Sequence, residues 1–227
     1  MKKSIFASCF LVLALLNPIN SEIANAYSHV NYVLPTHDMK VALTFDDGPY
    51  AINTPYVLDI LKEENVKATF FLLGENFKGN EDLIRHIVVE GHEIGLHTYT
   101  HPNFYKLNYE EIKKEIVDNI RGIESIIGYA PNFIRPPYGI ITDDFLCICE
   151  KLDLTVICWS VDTLDWKVGQ NSSDMVKTVC QELRPGSIIL MHDKSANYKC
   201  SRAALRRIIR TIKNEGYNFA TLSEFFS

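Results

Sequence analysis

The feature that most constrains this chain is an alternation. Short apolar runs of strand length are separated by longer stretches of helical period, and nothing between them reads as a hairpin. The apolar runs lie at residues 41–45, 68–73, 93–97, 133–135, 155–160, 187–191 and, more weakly, 219–222. The helical stretches lie at 53–64, 80–90, 108–127, 142–152, 172–183 and 201–214. Strands that alternate with helices predict a parallel sheet with the helices packed outside it. The periodicity is explicit: Val57, Ile60 and Leu61 in one stretch, then Leu83, Ile87 and Val88 before a stop at Gly91. The longest stretch sets Ile112, Ile116, Ile120, Ile123 and Ile127 on one face, opposite Glu110, Glu111, Lys113 and Lys114. About seven strands leave two architectures, a β/α barrel or a doubly wound open sheet. No Gly-rich phosphate loop follows the first strand, which removes the usual support for a nucleotide-binding open sheet.

At 227 residues, with 47% apolar and 22% charged, the chain suits one sizeable core rather than two domains. A formal charge of −5 offers no excess cation for phosphates, so a general nucleic-acid binder is not expected. Lys2 and Lys3 precede an apolar run at residues 5–16, and Ala24-Asn25-Ala26 offers a cleavage site. That is the layout of a secretory signal peptide over residues 1–26, and the apolar run is short for a membrane span. The expected mature protein is extracytoplasmic, with no stable membrane insertion. It has a polar lead at 27–39 and one domain at 40–227. Cys147, Cys149, Cys158, Cys180 and Cys200 would remain. They contain no C-x-x-C pair, so a zinc ribbon is not supported, and several are expected to be buried small apolar residues. A disulfide involving Cys200 has no partner named by the sequence.

Polar clusters fall where the strands end. The first strand runs into Asp46-Asp47-Gly48-Pro49, two adjacent carboxylates at a forced turn, and a cation or proton between them would relieve their repulsion. The third ends in His97-Thr-Tyr-Thr-His101, whose two imidazoles, four residues apart, can reach one ion. No Glu follows His97, so the H-E-x-x-H peptidase pattern is absent, and His92, at the start of that strand, is read as structural. Two histidines and one carboxylate would leave open positions on a zinc-like ion, the arrangement a hydrolytic metal needs. Arg135-Pro-Pro-Tyr138-Gly, Asp162-Thr-Leu-Asp165-Trp166 and Leu190-Met-His192-Asp193 follow later strands. In a parallel barrel all of these converge on one rim.

These five clusters resemble, in identity and order, the five motifs of the polysaccharide deacetylases, the NodB-homology group of carbohydrate esterase family 4. The motifs are Thr-Phe-Asp-Asp-Gly-Pro, His-Thr-x-x-His, Arg-x-Pro-Tyr, Asp-Trp and Leu-x-His, and they span about residues 41–226. The resemblance implies an α/β fold, a distorted (β/α)7 barrel in a single domain. It implies one divalent metal ion on Asp47, His97 and His101, zinc by preference, with cobalt or nickel as alternatives. It implies Asp46 as general base on the attacking water, His192 as the acid that protonates the leaving amine, and Arg135 and Asp165 as their respective partners. The backbone N–H of Tyr138 would stabilise the oxyanion, and Trp166 and Leu190 would wall an acetyl pocket. Asp162 receives only a capping or structural role.

The expected partner is a polysaccharide or oligosaccharide carrying N-acetyl groups, such as peptidoglycan or a chitin-like chain. An acetylxylan-type O-acetyl esterase and a non-catalytic carbohydrate-binding protein of the same fold are the rivals. Tyr50, Phe77, Phe104, Tyr105 and Tyr198 are candidates to stack on sugar rings, or simply to pack their loops.

Overall fold

The computed structural model describes residues 30–193 and 198–226, with only the backbone of Tyr198. The expected signal peptide and most of the loop after Asp193 lie outside those residues. Nine strands are described: β1 (Val30–Asn31), β2 (Lys40–Gly48), β3 (Thr69–Leu72), β4 (Glu93–Leu96), β5 (Phe133–Ile134), β6 (Thr155–Ile157), β7 (Val161–Asp162), β8 (Ile188–His192) and β9 (Asn218–Phe219). The helices are α1 (Thr54–Glu63), α2 (Glu81–Val89), α3 (Tyr109–Ile127), α4 (Asp143–Lys151), α5 (Ser172–Glu182), α6 (Tyr198–Asn214) and α7 (Ser223–Phe226).

The sheet order is β1-β6-β5-β4-β3-β2-β8-β7, with β9 on β2, and every ladder is parallel. This is the curled sheet of a distorted (β/α)7 barrel. The apolar run at 155–160, expected as one strand, is divided. Its first half pairs with β5. Three residues later the chain has crossed to β8, where the Ser160 N–H donates to the Ile188 carbonyl (3.1 Å) and β7 begins. One run cannot ladder to two distant strands at once, so it breaks between them. The polar lead is partly structural: β1 pairs with β6, and Leu34 is buried, its N–H bonded to the Gly186 carbonyl at 2.8 Å.

The strands read as continuous apolar runs because both of their faces are covered. Val41, Leu43, Phe45, Phe70 and Leu72 face the layer that also holds Ile112, Ile116 and Ile123 of α3. Each such side chain contributes roughly 1.5–3 kcal/mol on burial. Ile120 and Ile127 are only half-buried, and in α2 Ile84 is buried where the pattern emphasised Leu83 and Val88. α3 starts at a capping box between Asn108 and Glu111 and stops at Gly128, whose φ of 86° suits glycine. His92 is buried at the start of β4, where its Nδ1 accepts the Ala68 N–H (3.2 Å), a structural role as expected.

Candidate active site

Strand register brings the chemistry to one edge. β2 and β8 place Asp46 beside His192. β4 and β5 pair at Leu96 and Ile134, so His97 and Arg135 are the next residues outward. β7 and β8 pair Asp162 with Leu190. Between Asp46 and Gly48 the β2–β3 register shifts, and Asp47 takes a φ of 72°. A bulge with a left-handed residue bends the strand and re-aims that side chain, which turns two consecutive carboxylates toward one space. Gly48 is required there, because a Cβ would lie 2.4 Å from Oδ2 of Asp193.

Backbone strain collects at the same edge. Asp47, Thr98, His101, Tyr138 and Leu164 all have positive φ, and each belongs to or adjoins one of the five motifs. Such conformations cost on the order of 1–3 kcal/mol each and persist only where the surroundings over-determine them.

The Oδ1 atom of Asp47 is buried and accepts no hydrogen bond from the described residues. Nε2 of His97 lies 3.5 Å from it and Nε2 of His101 lies 3.6 Å away. The three potential ligand atoms are within 4.8 Å of one another. Nδ1 of His97 is 2.8 Å from the Arg135 carbonyl, which can only accept, so Nδ1 carries the proton and Nε2 presents its lone pair. Burial pushes His97 down to about 3 despite the nearby Asp47 charge, which keeps the ring neutral. An unpartnered buried carboxylate oxygen facing two imidazoles is the donor set of a divalent cation, and the residues fit one.

Behind this triad Arg135 is wholly buried. Its Nη1 donates to Oδ1 of Asp46 at 2.6 Å and to Oγ1 of Thr44 at 2.9 Å. Its Nε and Nη2 donate to the carbonyls of Ile157 (3.3 Å) and Cys158 (3.0 Å), and the guanidinium lies 4.2 Å from the centre of the Phe71 ring. A buried guanidinium is tolerable only when satisfied in this way. Oδ2 of Asp46 is left 3.7 Å from Nε2 of His97, on the side of the Asp-His-His triad.

Across the cavity, Asp165 is buried and holds His192 twice. Its Oδ1 is 2.7 Å from Nδ1 and its Oδ2 accepts the His192 backbone N–H at 2.9 Å. Burial alone would lower the His192 pKa. The hydrogen bond and charge of Asp165, aided by Asp46 and Asp47, outweigh it and push His192 up to about 9.

The cavity between these groups is about 410 Å³ and is lined by Asp46, Asp47, His97, His101, Tyr138, Trp166, Leu190 and His192, with Pro136, Trp159 and Asp162. Eight of the ten residues singled out from sequence thus share one cavity; Arg135 and Asp165 sit directly behind it. Tyr138 packs edge-on against His101, ring centroids 4.5 Å apart. Asp162 accepts the Leu164 N–H at 2.8 Å and lies 3.4 Å from the Trp166 indole nitrogen, so it shapes the loop that carries Trp166.

Sequence reasoning missed three residues. Trp159 lines the cavity but looked like part of a strand. Thr44 is read as strand filler until Arg135 is placed. Asp193 is buried beneath Gly48, holds the Thr54 hydroxyl, and burial pushes it up to about 7. Its only signal was an acid directly after His192. Phe77 and Phe104, candidates for sugar stacking, are instead buried in the core because short helical turns fold them inward. The five cysteines of the described residues form no disulfide; Cys149 and Cys158 are buried.

Residues 34–157 match the family model described as polysaccharide deacetylase. The chain belongs to the polysaccharide deacetylase family. It is 44% identical over 193 residues to a peptidoglycan-N-acetylglucosamine deacetylase of Bacillus cereus, covering 85% of this chain and 70% of that one. It is 39% identical over 187 residues to the peptidoglycan-N-acetylglucosamine deacetylase PgdA of Listeria monocytogenes, covering 82% of this chain but only 39% of that protein. Among solved structures, the Bc1960 peptidoglycan N-acetylglucosamine deacetylase superposes with a TM-score of 0.82 at 42% identity, over 86% of this chain and 91% of that one. The relatives named here are deacetylases, hydrolases of carbon–nitrogen bonds other than peptide bonds, and the chain is an enzyme of their family. No helix among the described residues is long and apolar enough to cross a membrane.

Proposed function

We propose that this protein is an exported, metal-dependent enzyme that removes N-acetyl groups from glycans, with the N-acetylglucosamine of peptidoglycan as the leading substrate. The observation that carries the reading is the pairing across one cavity. A carboxylate held by Arg135 and a histidine held by Asp165 flank an Asp-His-His set whose carboxylate oxygen lacks a partner.

Asp47, His97 and His101 would hold a divalent cation, zinc by preference, which when bound would supply Lewis acidity to the attacking water and the acetyl carbonyl. Asp46, fixed by Arg135, takes a proton from that water as its oxygen bonds to the carbonyl carbon. The backbone N–H of Tyr138 donates to the oxygen that gains charge. His192 enters as imidazolium and gives its Nε2 proton to the nitrogen as the carbon–nitrogen bond breaks. Acetic acid and a free amine leave; the protons on the acid and on Asp46 pass to solvent as acetate and the carboxylate re-form, and His192 takes a proton back from solvent. Trp166 and Leu190 wall the space for the acetyl methyl. The apolar run and small-residue site at the N-terminus support export, the compartment in which peptidoglycan lies.

The test is acetate release measured side by side on peptidoglycan, chito-oligosaccharides and acetylated xylan, with chelator treatment and zinc add-back. Release from peptidoglycan that the chelator abolishes and zinc restores is the expected result. Release confined to xylan would replace the amide reading with the ester one, and chelator-resistant release would remove the metal.

A further inference from the structure

The turn that carries both histidine ligands is clamped from one side by a helix none of whose residues lines the cavity. Oε2 of Glu115, on α3, accepts the backbone N–H groups of Tyr99 (2.9 Å) and Thr100 (2.7 Å), and its Oε1 accepts the Thr100 hydroxyl (2.8 Å). One turn further along, buried Asn119 donates from Nδ2 to the carbonyls of Thr98 (2.6 Å) and Leu72 (3.0 Å). Residues four apart on a helix share a face, so the two side chains grip successive peptide groups of one loop. Other bonds join them: the Thr98 carbonyl also accepts the Gly74 N–H (3.1 Å), the Tyr99 carbonyl accepts the Glu75 N–H (2.8 Å), and the His101 N–H donates to Oγ1 of Thr98 (3.2 Å).

The turn needs holding. Thr98 has a φ of 69° and His101 one of 59°, so a β-branched residue and a metal ligand both lie in the left-handed region. A loop left to itself would relax toward extended or right-handed backbone, and that would swing Nε2 of His101 away from Asp47. Asn119 also leaves its own Oδ1 buried without a partner. A cost of that kind is retained where the other end of the amide is required.

We propose that Glu115 and Asn119 are positioning residues for the metal centre, holding the turn from His97 to His101 in the strained conformation that lets both imidazoles meet one cation. This rests on the metal assignment above and extends it to two residues outside the five motifs. Outer partners of metal ligands commonly set affinity by about 10–100-fold.

The experiment is cobalt binding to the purified full chain, read by chelator competition and by the visible d–d absorption of the bound ion, with thermal melting in parallel. Glu115→Ala and Asn119→Asp are expected to weaken cobalt binding by about 10–100-fold and to alter the d–d band. Glu115→Gln keeps one carbonyl oxygen for both N–H groups and is expected to stay within about threefold of wild type. Glu111→Ala, which breaks the capping box of the same helix, is expected to lower the melting temperature and leave cobalt affinity unchanged. If Glu115→Ala and Asn119→Asp fold, melt lower and bind cobalt as wild type does, the clamp is only structural and the proposal is overturned. If one of them does not fold, cobalt binding to the other decides between the same two outcomes. Wild-type protein that binds no cobalt, zinc or nickel would overturn the metal assignment itself, an outcome seen in the wild-type arm alone.

Discussion

The two histidine-bearing sides of the cavity are built from the same kind of residue and end in opposite states. On the β4 side, His97 is deeply buried, its Nδ1 proton goes to a neutral carbonyl, and desolvation pushes it down to about 3. On the β8 side, His192 is also largely shielded, but its Nδ1 proton goes to a buried carboxylate and the ring is pushed up to about 9. The acceptor behind the ring decides the difference. A carbonyl aims a lone pair without stabilising positive charge, whereas a carboxylate aims the ring and stabilises imidazolium. One side is therefore suited to hold a cation and the other to deliver a proton.

The largest effect that would break this contrast is a substitution on the β4 side. His97→Ala removes a ligand, and acetate release should fall to background together with bound metal, measured by atomic absorption on the purified variant. Asp46→Asn should separate the two functions. Metal content stays at wild type, and kcat falls about 10²–10⁴-fold, the usual contribution of a general base. Retention of near wild-type kcat would remove Asp46 from that role.

The β8 side is sharpened by pH. If imidazolium at His192 is the acid, kcat/KM holds on the alkaline side until about pH 9 and then falls as the ring loses its proton. The same group stabilises the fold in the same direction. Its raised pKa contributes fully below the ordinary histidine value of about 6.5, and that contribution disappears as pH rises through about 9. Asp165→Asn withdraws the charge and keeps an acceptor for only one of the two His192 N–H groups, so the alkaline limb should move down to about 6.5 or below. An unmoved limb in that variant would assign it to another group.

Much of this architecture is legible in the amino-acid sequence, for identifiable reasons. Helices such as α3 announce themselves because isoleucines repeat along one face and Asn108 and Gly128 mark the ends. The site is legible because acids, histidines and an arginine follow apolar runs, and a parallel sheet must send those ends to one edge. Two kinds of information are hidden. The break between β6 and β7 depends on which strands are neighbours, which periodicity does not encode. The partners Thr44, Glu115 and Asn119 lie inside ordinary strand and helix patterns, Asp193 follows a motif histidine with no pattern of its own, and the roles of all four arise only when distant elements close to hydrogen-bond range. Phe77 and Phe104 show the converse: loop aromatics that looked available for sugar belong to the core.

The smallest expected effect on chemistry lies at the rim, where Trp166 and Tyr138 are 51% and 64% exposed. The rim differs from the floor in having no charge to position, so its contribution should be to binding. Trp166→Ala removes an apolar wall of the acetyl pocket that is already half in water, and contact with a surface of that kind is worth about 1–3 kcal/mol. KM on a defined chito-oligosaccharide should rise by about 5–100-fold, with kcat changed by less than about threefold. Asp162→Ala, which frees the loop under Trp166 without removing the indole, should give a smaller rise in KM in the same direction. A fall in kcat with unchanged KM in either variant would mean that the rim orients the acetyl group at the reacting atoms. The division between a charged floor that performs chemistry and an aromatic rim that selects the glycan would then have to be redrawn.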